Sequence, residues 1–547
     1  MDFLTHVGAG TDDSIAIVGL SCRLPGAAGV REFWQLLRDG GDAIAEVPAG
    51  RRDDADETAG RRGGYLDRVD EFDPAFFGIS PREAAAMDPQ QRLMLELSWE
   101  ALQDAWIVPA GLAGTKTGVF VGATASDYAT LGGLRGAAAI GPHTLTGLNR
   151  GILANRISFM LGVTGPSLTV DTAQSSSLVA VHLACESLRR GESTVAIAGG
   201  VNLNLAPEST IGAEKFGALS PDGRCFTFDA RANGYVRGEG GAVVVLKPLS
   251  AAIADGDQVH CVIRGSAVNN DGATPGLTVP DASAQEDAVR LACERAGVRP
   301  GEVQYVELHG TGTRLGDPIE ASALGAALGR HRPAGAPLLV GSVKTNVGHL
   351  EAGAGITGLV KTALSIRHRE LPASLNFETP NPAIPLNRLN LAVHRSLSAW
   401  PRPDAPLVAG VSSFGMGGTN CHVVLSDVSL PERPDEPRTG MDIVPWLVSG
   451  VGDAGLSAQA GRLREHVGTL DPADVGLSLA TTRSAHSHRA VVLGTNLSEL
   501  DSGLAAVLAG TPAAQVVRGR VVPDGRVGFL FSGQGSQRVG MGGELWA

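Results

Sequence analysis

The chain has 547 residues, 43% of them hydrophobic and 19% charged, the balance of a protein that buries a large core in more than one domain. Its net charge of −12, with no Lys/Arg-rich stripe, excludes bulk nucleic-acid binding. No apolar run reaches the roughly 20 residues that span a bilayer, the start MDFLTHVGAGTDDS lacks a basic region followed by an apolar core, and the six cysteines are scattered without a C-x-x-C pair; a membrane span, a secretory signal, a disulfide framework and a zinc site are therefore not expected, and the setting reads as cytoplasmic.

Short Val/Ile-rich runs alternate with helical runs from residue 14 to about 427. Strands are expected at SIAIVGLSC, TGVFVGAT, STVAIAGGV, GAVVVLKPL, VHCVIRGSAV, VQYVELHG, LLVGSV and NCHVVLSDV, and helices at DPQQRLMLELSWEALQDA and ASAQEDAVRLACERAG, the latter capped near Ser283. This order predicts an α/β fold with buried sheets, and strand–Gly loop–helix units in both halves point to a coarse duplication. PERPDEPRTG, rich in Pro and charge, reads as a connector. The expected organisation is an extension at 1–13, a main domain at 14–427, a connector at 428–440, a small α/β domain at 441–526, and at 527–547 the opening of a further domain, as in a piece of a longer polypeptide.

Four stretches carry chemistry. In VDTAQSSSLVAVHLACESLRRGE a strand ends in a tight turn at Gln174, and a helix follows whose start Ser175, Ser176 and Ser177 can cap. Its free N–H groups favour developing negative charge. In YVELHGTGTRLGDPIEAS, His309 precedes a loop that offers the hydroxyls of Thr311 and Thr313. In LLVGSVKTNVGHLEAGAGITG the same design recurs with Lys344, Asn346 and His349, and Glu351 is placed to pair with Lys344. In GVSSFGMGGTNCHVVL, Phe414 reads either as a core aromatic or as a pocket gate. No metal cluster, phosphate loop or carboxylate pair at a telling spacing is visible. The set is rich in hydrogen-bond donors, which stabilise an oxyanion or enolate.

Seven motifs in order resemble the ketosynthase domains of modular type I polyketide synthases, within the thiolase-like condensing enzymes: SIAIVGLSCRLPGA, DPQQRLMLELSWEAL, VDTAQSSSLVAVHLA, RCFTFDARANGYVRGEGG, HGTGTRLGDPIEA, KTNVGHLEAGAGITGLVK and SSFGMGGTNCHVVL. The resemblance implies a thiolase fold of five αβαβα layers, followed by a ketosynthase–acyltransferase linker domain and, at FLFSGQGSQ, the start of an acyltransferase. It implies that His309 and His349 are the catalytic histidines, Lys344 the active-site lysine and Phe414 the gating phenylalanine. In condensing members the elbow reads TACSSS and its cysteine carries the acyl chain; here it reads TAQSSS. Glutamine there is similar to the KS-Q domains of loading modules. That likeness implies a decarboxylase of malonyl-type units carried on the phosphopantetheine arm of an acyl carrier protein, with no bound cofactor or metal. It further implies a homodimer beside an acyltransferase domain. In this reading Gln174 cannot form an acyl-enzyme, Thr311 and Thr313 orient the departing carboxylate, and Asn346 and Glu351 support the loop. The short N-terminal segment fits a loading module, and Cys185, three helical turns past the elbow, is expected in the core. Two alternatives stay open: a catalytically silent partner like the chain-length factors, and a condensing domain engineered from Cys to Gln. Asn233, where the family usually has Asp, has no account from sequence.

Overall fold

The computed structural model describes residues 13–51, 62–430 and 442–522, with short pieces between 529 and 541. Most of the expected connector, its residues 431–440, and most of the expected acyltransferase start lie outside the described residues. Contacts divide the chain into two units, 1–436 and 437–547.

Each Val/Ile-rich run becomes a strand. In the first unit these are β1 (Ile15–Arg23), β2 (Thr117–Gly122), β3 (Ser167–Val170), β4 (Val195–Asn202), β5 (Gly240–Pro248), β6 (Cys261–Asn270), β7 (Tyr305–Glu307), β8 (Leu338–Gly341), β9 (Leu391–Val393), β10 (Val408–Phe414) and β11 (Thr419–Ser426). The connecting helices are α1 (Pro89–Asp104), α2 (Gly151–Leu161), α3 (Ser176–Arg189), α4 (Ala282–Arg295), α5 (Gly316–Ala327) and α6 (Ala354–His368). Asp281, not Ser283, caps α4: its carboxylate accepts the Ala284 N–H at 2.9 Å, while the Ser283 hydroxyl donates to that same carboxylate. Asp281 lies one residue outside the helix, where its carboxylate has the acceptor geometry that the first turn needs.

The duplication is explicit in the topology. Strand order is β9-β8-β7-β10-β11-β6-β1-β5-β4-β2-β3. Read outward from its centre, each half runs first, fifth, fourth, second, third strand of that half, with β9 added at one edge. In both halves the inner two pairings are antiparallel and the outer two parallel. The half-sheets join where β1 pairs antiparallel with β6, Ala16 opposite Val262.

Alternation along the strands sorts side chains into layers. Ile15 and Ile17 of β1 and Ala242, Val244 and Leu246 of β5 point into the central core with α3 and α6. Ala16, Val18, Val243 and Val245 point the other way, against α1 and α2. Across the molecule, Val306, Val340 and Val424 face α4 and α5. The sequence of layers is helix, sheet, helix, sheet, helix: the five-layer arrangement expected of a thiolase fold. The middle helix α6 is enclosed throughout Ala354–Ile366, so Thr357, Thr362 and Ser365 return their hydroxyls to carbonyls four residues back.

The second unit is a three-stranded antiparallel sheet, β12 (Val444–Gly450), β13 (His488–Gly494) and β14 (Val516–Arg520). Three helices accompany it, α7 (Asp453–Val467), α8 (Pro472–Thr481) and α9 (Leu497–Ala509). Val444, Trp446 and Val448 alternate into its core, and the Trp446 indole N–H donates to the Pro472 carbonyl at 2.9 Å. Among the described residues no helix is long and apolar enough to cross a membrane.

Candidate active site

The site gathers at the C-terminal ends of β3, β7, β8 and β10, around a cavity of about 950 Å³. Gln174, His309, His349, Thr311, Thr313, Glu351, Phe414 and Asn233 line it. Lys344 and Asn346 do not; both are buried behind it.

The turn after β3 is a strained elbow. Ala173 has φ +55°, a conformation that costs a Cβ-bearing residue about 1–2 kcal/mol. The serines stitch the elbow in place of capping the helix. Ser175 Oγ donates to the Thr172 carbonyl at 2.9 Å, Ser176 Oγ accepts the Thr172 N–H at 2.9 Å and donates to the Ala173 carbonyl, and Ser177 Oγ accepts the Ile356 N–H at 3.0 Å. No side chain caps α3, because each hydroxyl is already engaged.

Gln174 is thereby thrust into the cavity. Its Oε1 accepts the Met416 backbone N–H at 2.9 Å, and its own carbonyl accepts from Ser413 Oγ at 2.9 Å. Met416, absent from the sequence reading, is the residue that holds the glutamine amide. Cys185 is fully buried on α3 with its thiol pushed up to about 12 by burial, so it does not serve as a nucleophile for the site.

The two imidazoles approach edge to face, 5.5 Å apart at 82°. His309 Nδ1 accepts the Phe414 N–H at 3.3 Å, and His349 Nδ1 accepts the Glu351 N–H at 2.9 Å. A backbone amide only donates, so both Nδ1 atoms are bare and each neutral ring carries its proton on Nε2. Burial, then the nearby Lys344 charge, holds both histidines well below their ordinary range; His309 and Arg237 add to this at His349. The site therefore presents two neutral N–H donors on one cavity.

Behind His309 lies an acidic pair that sequence reading passed over. Asp317 and Glu320 are three residues apart on α5, on one face, in contrast to the expectation of no telling carboxylate pair. Glu320 accepts the His309 and Gly310 N–H groups at 2.7 and 2.8 Å; Asp317 accepts those of Phe228 and Gly312 at 2.8 and 3.1 Å. Burial pushes the Asp317 carboxyl up to about 7 and also raises that of Glu320. The spacing in GDPIEA carried this signal, but only packing shows that both acids turn inward onto the Gly/Thr loop. Thr311 and Thr313 hydroxyls lie 3.1 Å apart at the cavity wall, and Gly310 and Gly312 adopt φ +46° and +74° to bring that loop in.

Lys344 does not pair with Glu351. Both Glu351 oxygens are held by Arg237, at 2.8 and 3.2 Å. Lys344 sits instead in the field of Glu307 and Glu320, burial lowering its pKa and those carboxylates opposing the shift. Glu307 also takes Lys361 Nζ at 2.7 Å in a fully buried pair. Asn346 donates to the Gly41 carbonyl at 3.0 Å and ties down a remote loop. Asn233 acquires a physical account: its Oδ1 accepts from Ser220 Oγ and its Nδ2 donates to Asp222, both at 2.7 Å. An aspartate there would oppose Asp222 with like charge. Among the described residues no group of His, Cys, Asp and Glu is arranged to hold a metal ion.

Three family descriptions match the chain: Beta-ketoacyl synthase, N-terminal domain over 12–252; Beta-ketoacyl synthase, C-terminal domain over 260–378; and Ketoacyl-synthetase C-terminal extension over 380–493. The chain is 57% identical to Polyketide synthase GfsA of Streptomyces halstedii, over 98% of this chain and 7% of that protein. It is 46% identical to the Spectinabilin polyketide synthase system protein NorA' of Streptomyces orinoci, over 99% of this chain and 15% of that one. Thus it spans a small part of the curated relatives it matches. Among solved structures, the ketosynthase from module 6 of the bacillaene synthase of Bacillus subtilis 168 superposes with TM-score 0.83 at 37% identity, covering 93% of this chain and 87% of that one. An oxazolomycin ketosynthase domain of Streptomyces albus gives TM-score 0.85 at 37% identity, covering 94% and 91%.

Proposed function

Because the chain belongs to the β-ketoacyl synthases, as a ketosynthase domain of a polyketide synthase, we propose that it acts as a decarboxylase of malonyl-type thioesters and supplies the starter acyl group. The observation that carries this reading is the seating of the Gln174 amide. Its carbonyl occupies the Met416 N–H as the thioester carbonyl of an acylated cysteine would, opposite two neutral histidines. An amide is no nucleophile, so the carbanion formed here meets no acyl-enzyme to attack.

The step balances simply. The bond between the α-carbon and the free carboxylate breaks, CO₂ leaves, and its electron pair enters the thioester as an enolate. The Nε2–H groups of His309 and His349 point where that enolate oxygen gains charge, and one donor of this kind is worth about 10²–10³ in rate. Thr311 and Thr313 orient the carboxylate for departure. A solvent proton then quenches the α-carbon, giving an acetyl or propionyl thioester. Phe414, 5.5 Å from His309, walls the site.

The substrate arrives on the phosphopantetheine arm of a loading-module carrier protein charged by a neighbouring acyltransferase. The domain works as a homodimer: Phe159, 88% exposed, lies on α2, which packs beside the edge strand β3, and Leu134, Ile140 and Leu145 are 69–76% exposed, apolar surface suited to a second copy. The test is a mass-spectrometric time course of malonyl- and methylmalonyl-carrier protein with this chain, its Gln174→Ala variant and no enzyme. CO₂ loss that is slower in the variant is expected. No loss above background with either carrier overturns the reading in favour of a silent partner, and an unchanged rate in the variant removes Gln174 from the mechanism.

A further inference from the structure

We propose that Glu351 and Arg237 form a positioning pair that holds one strained peptide so that its N–H selects the tautomer of His349. The inference rests on the reading of His349 as a donor to the enolate oxygen, and its test separates the two.

Glu351 has φ +46°, a left-handed conformation that residues with a Cβ avoid. That conformation opens the short 3₁₀ turn Glu351–Gly353 ahead of α6 and aims the Glu351 N–H back at His349 Nδ1, 2.9 Å away. Left to itself such a peptide relaxes to negative φ and withdraws the N–H. Arg237 opposes this. Its guanidinium, 6% exposed, grips both Glu351 oxygens through Nε and Nη2, and its Nη1 donates to Ser209 Oγ at 2.9 Å and Thr210 Oγ1 at 2.7 Å. The backbone around the same arginine takes the other side of the loop: His349 N–H donates to the Val236 carbonyl at 2.7 Å, and Gly238 N–H donates to the His349 carbonyl at 2.8 Å. The ring is also bounded by Tyr235, 4.8 Å away. A strained residue persists where its surroundings over-determine it, and here what the strain produces is a bare Nδ1 and an Nε2–H facing the cavity. The Glu351 carboxylate acts on the histidine through its own backbone. His309 obtains the same tautomer from Phe414, which lies at the end of β10 with no positive φ.

The discriminating variants are Glu351→Ala and Glu351→Gly, both in the full chain. Alanine removes the ion pair and keeps the Cβ, so the peptide relaxes; kcat for decarboxylation is expected to fall about ten- to a hundredfold with KM little changed, short of the loss of a whole donor. Glycine removes the ion pair and also the conformational penalty, so it is expected to retain kcat within about threefold. Nitrogen-15 spectra of the histidine rings give the second readout: Nδ1 of His349 unprotonated in the parent and in Glu351→Gly, mixed in Glu351→Ala, with melting curves establishing that all three fold. Equal losses in the two variants, or no loss in either, would overturn the inference. So would a proton on Nδ1 in the parent. A parent protein that decarboxylates no malonyl-type thioester sinks the functional reading alone, since the ring spectra still decide this one.

Discussion

At the scale of single residues, the elbow presents an amide, which is no nucleophile, on a fully braced scaffold. The strained Ala173, the hydroxyl stitching by Ser175 and Ser176 and the Met416 N–H all hold Gln174 in place, and its amide can form no acyl bond. Asn233 makes a second single-residue argument. Its amide bridges Ser220 and Asp222, donating to one and accepting from the other, a pairing that a carboxylate cannot reproduce. Asn233→Asp is expected to lower stability by about 1 kcal/mol at low ionic strength and by less in about 1 M salt, which screens the like charges. Urea unfolding at the two salt concentrations checks this; an equal cost at both would remove charge repulsion as the cause.

At the scale of elements, the site depends on how closely α3 approaches the sheet. Gly122, the last residue of β2, permits this: a Cβ there would stand 2.4 Å from the Ser177 N and 2.6 Å from the Ser176 carbonyl carbon. Those are backbone atoms of the helix's first turn, so a methyl group displaces the turn as a body. Gly122→Ala is expected to cost about 1–3 kcal/mol, and to lower kcat by more than tenfold because Gln174 moves with that turn. Melting temperature and kcat measured together test it. A stability loss with kcat preserved would mean that the elbow holds its geometry independently of α3. The same logic places His349, since α6 is the counterpart of α3 in the second half and their approaches carry Gln174 and His349 respectively.

At the scale of the whole molecule, two properties follow from burial. The first is assembly: Phe159 is 88% exposed on α2, the helix that packs beside edge strand β3. Phe159→Lys is expected to convert a dimer to monomer in light scattering after size exclusion; a parent that is monomeric at micromolar concentration would dismiss the proposed interface. The second is acid sensitivity. His422 is enclosed with Nδ1 on Ser412 Oγ at 2.9 Å, and burial holds its pKa down at about 3. As pH falls, the unfolded chain takes up the proton first, near 6.5, so this group's stability is complete above that value and is lost as pH falls toward 3. His309 and His349 act in the same direction. Asp317, raised to about 7, acts oppositely: its contribution is complete below about 4 and is lost as pH rises to 7. His422→Gln is expected to reduce the drop in unfolding free energy between pH 7.5 and 5 by about 2 kcal/mol, the amount set by the unfolded-state value. Urea midpoints at both pH values measure it.

Local pattern determined much of this protein. The short Val/Ile-rich runs placed eight strands of the main sheet, since a strand buried on both faces has little freedom in composition. The Gly-rich joints marked His309 and His349, because backbone that must approach a site closely excludes side chains there, and a tight polar turn marked Gln174. What the chain's order could not convey is which polar group meets which across layers. Glu351 stands seven residues from Lys344 in sequence, yet its partner is Arg237, more than a hundred residues away. Asp317 and Glu320 act together only because α5 packs them under the Gly/Thr loop. Met416 N–H, like every backbone donor, carries no mark in the sequence at all. The elements follow from short-range sterics and hydrophobic period; the tautomers, the ion pairs and the seat of the Gln174 amide follow only from the packing of two duplicated halves, which sets the distances on which directional hydrogen bonds and buried charges depend.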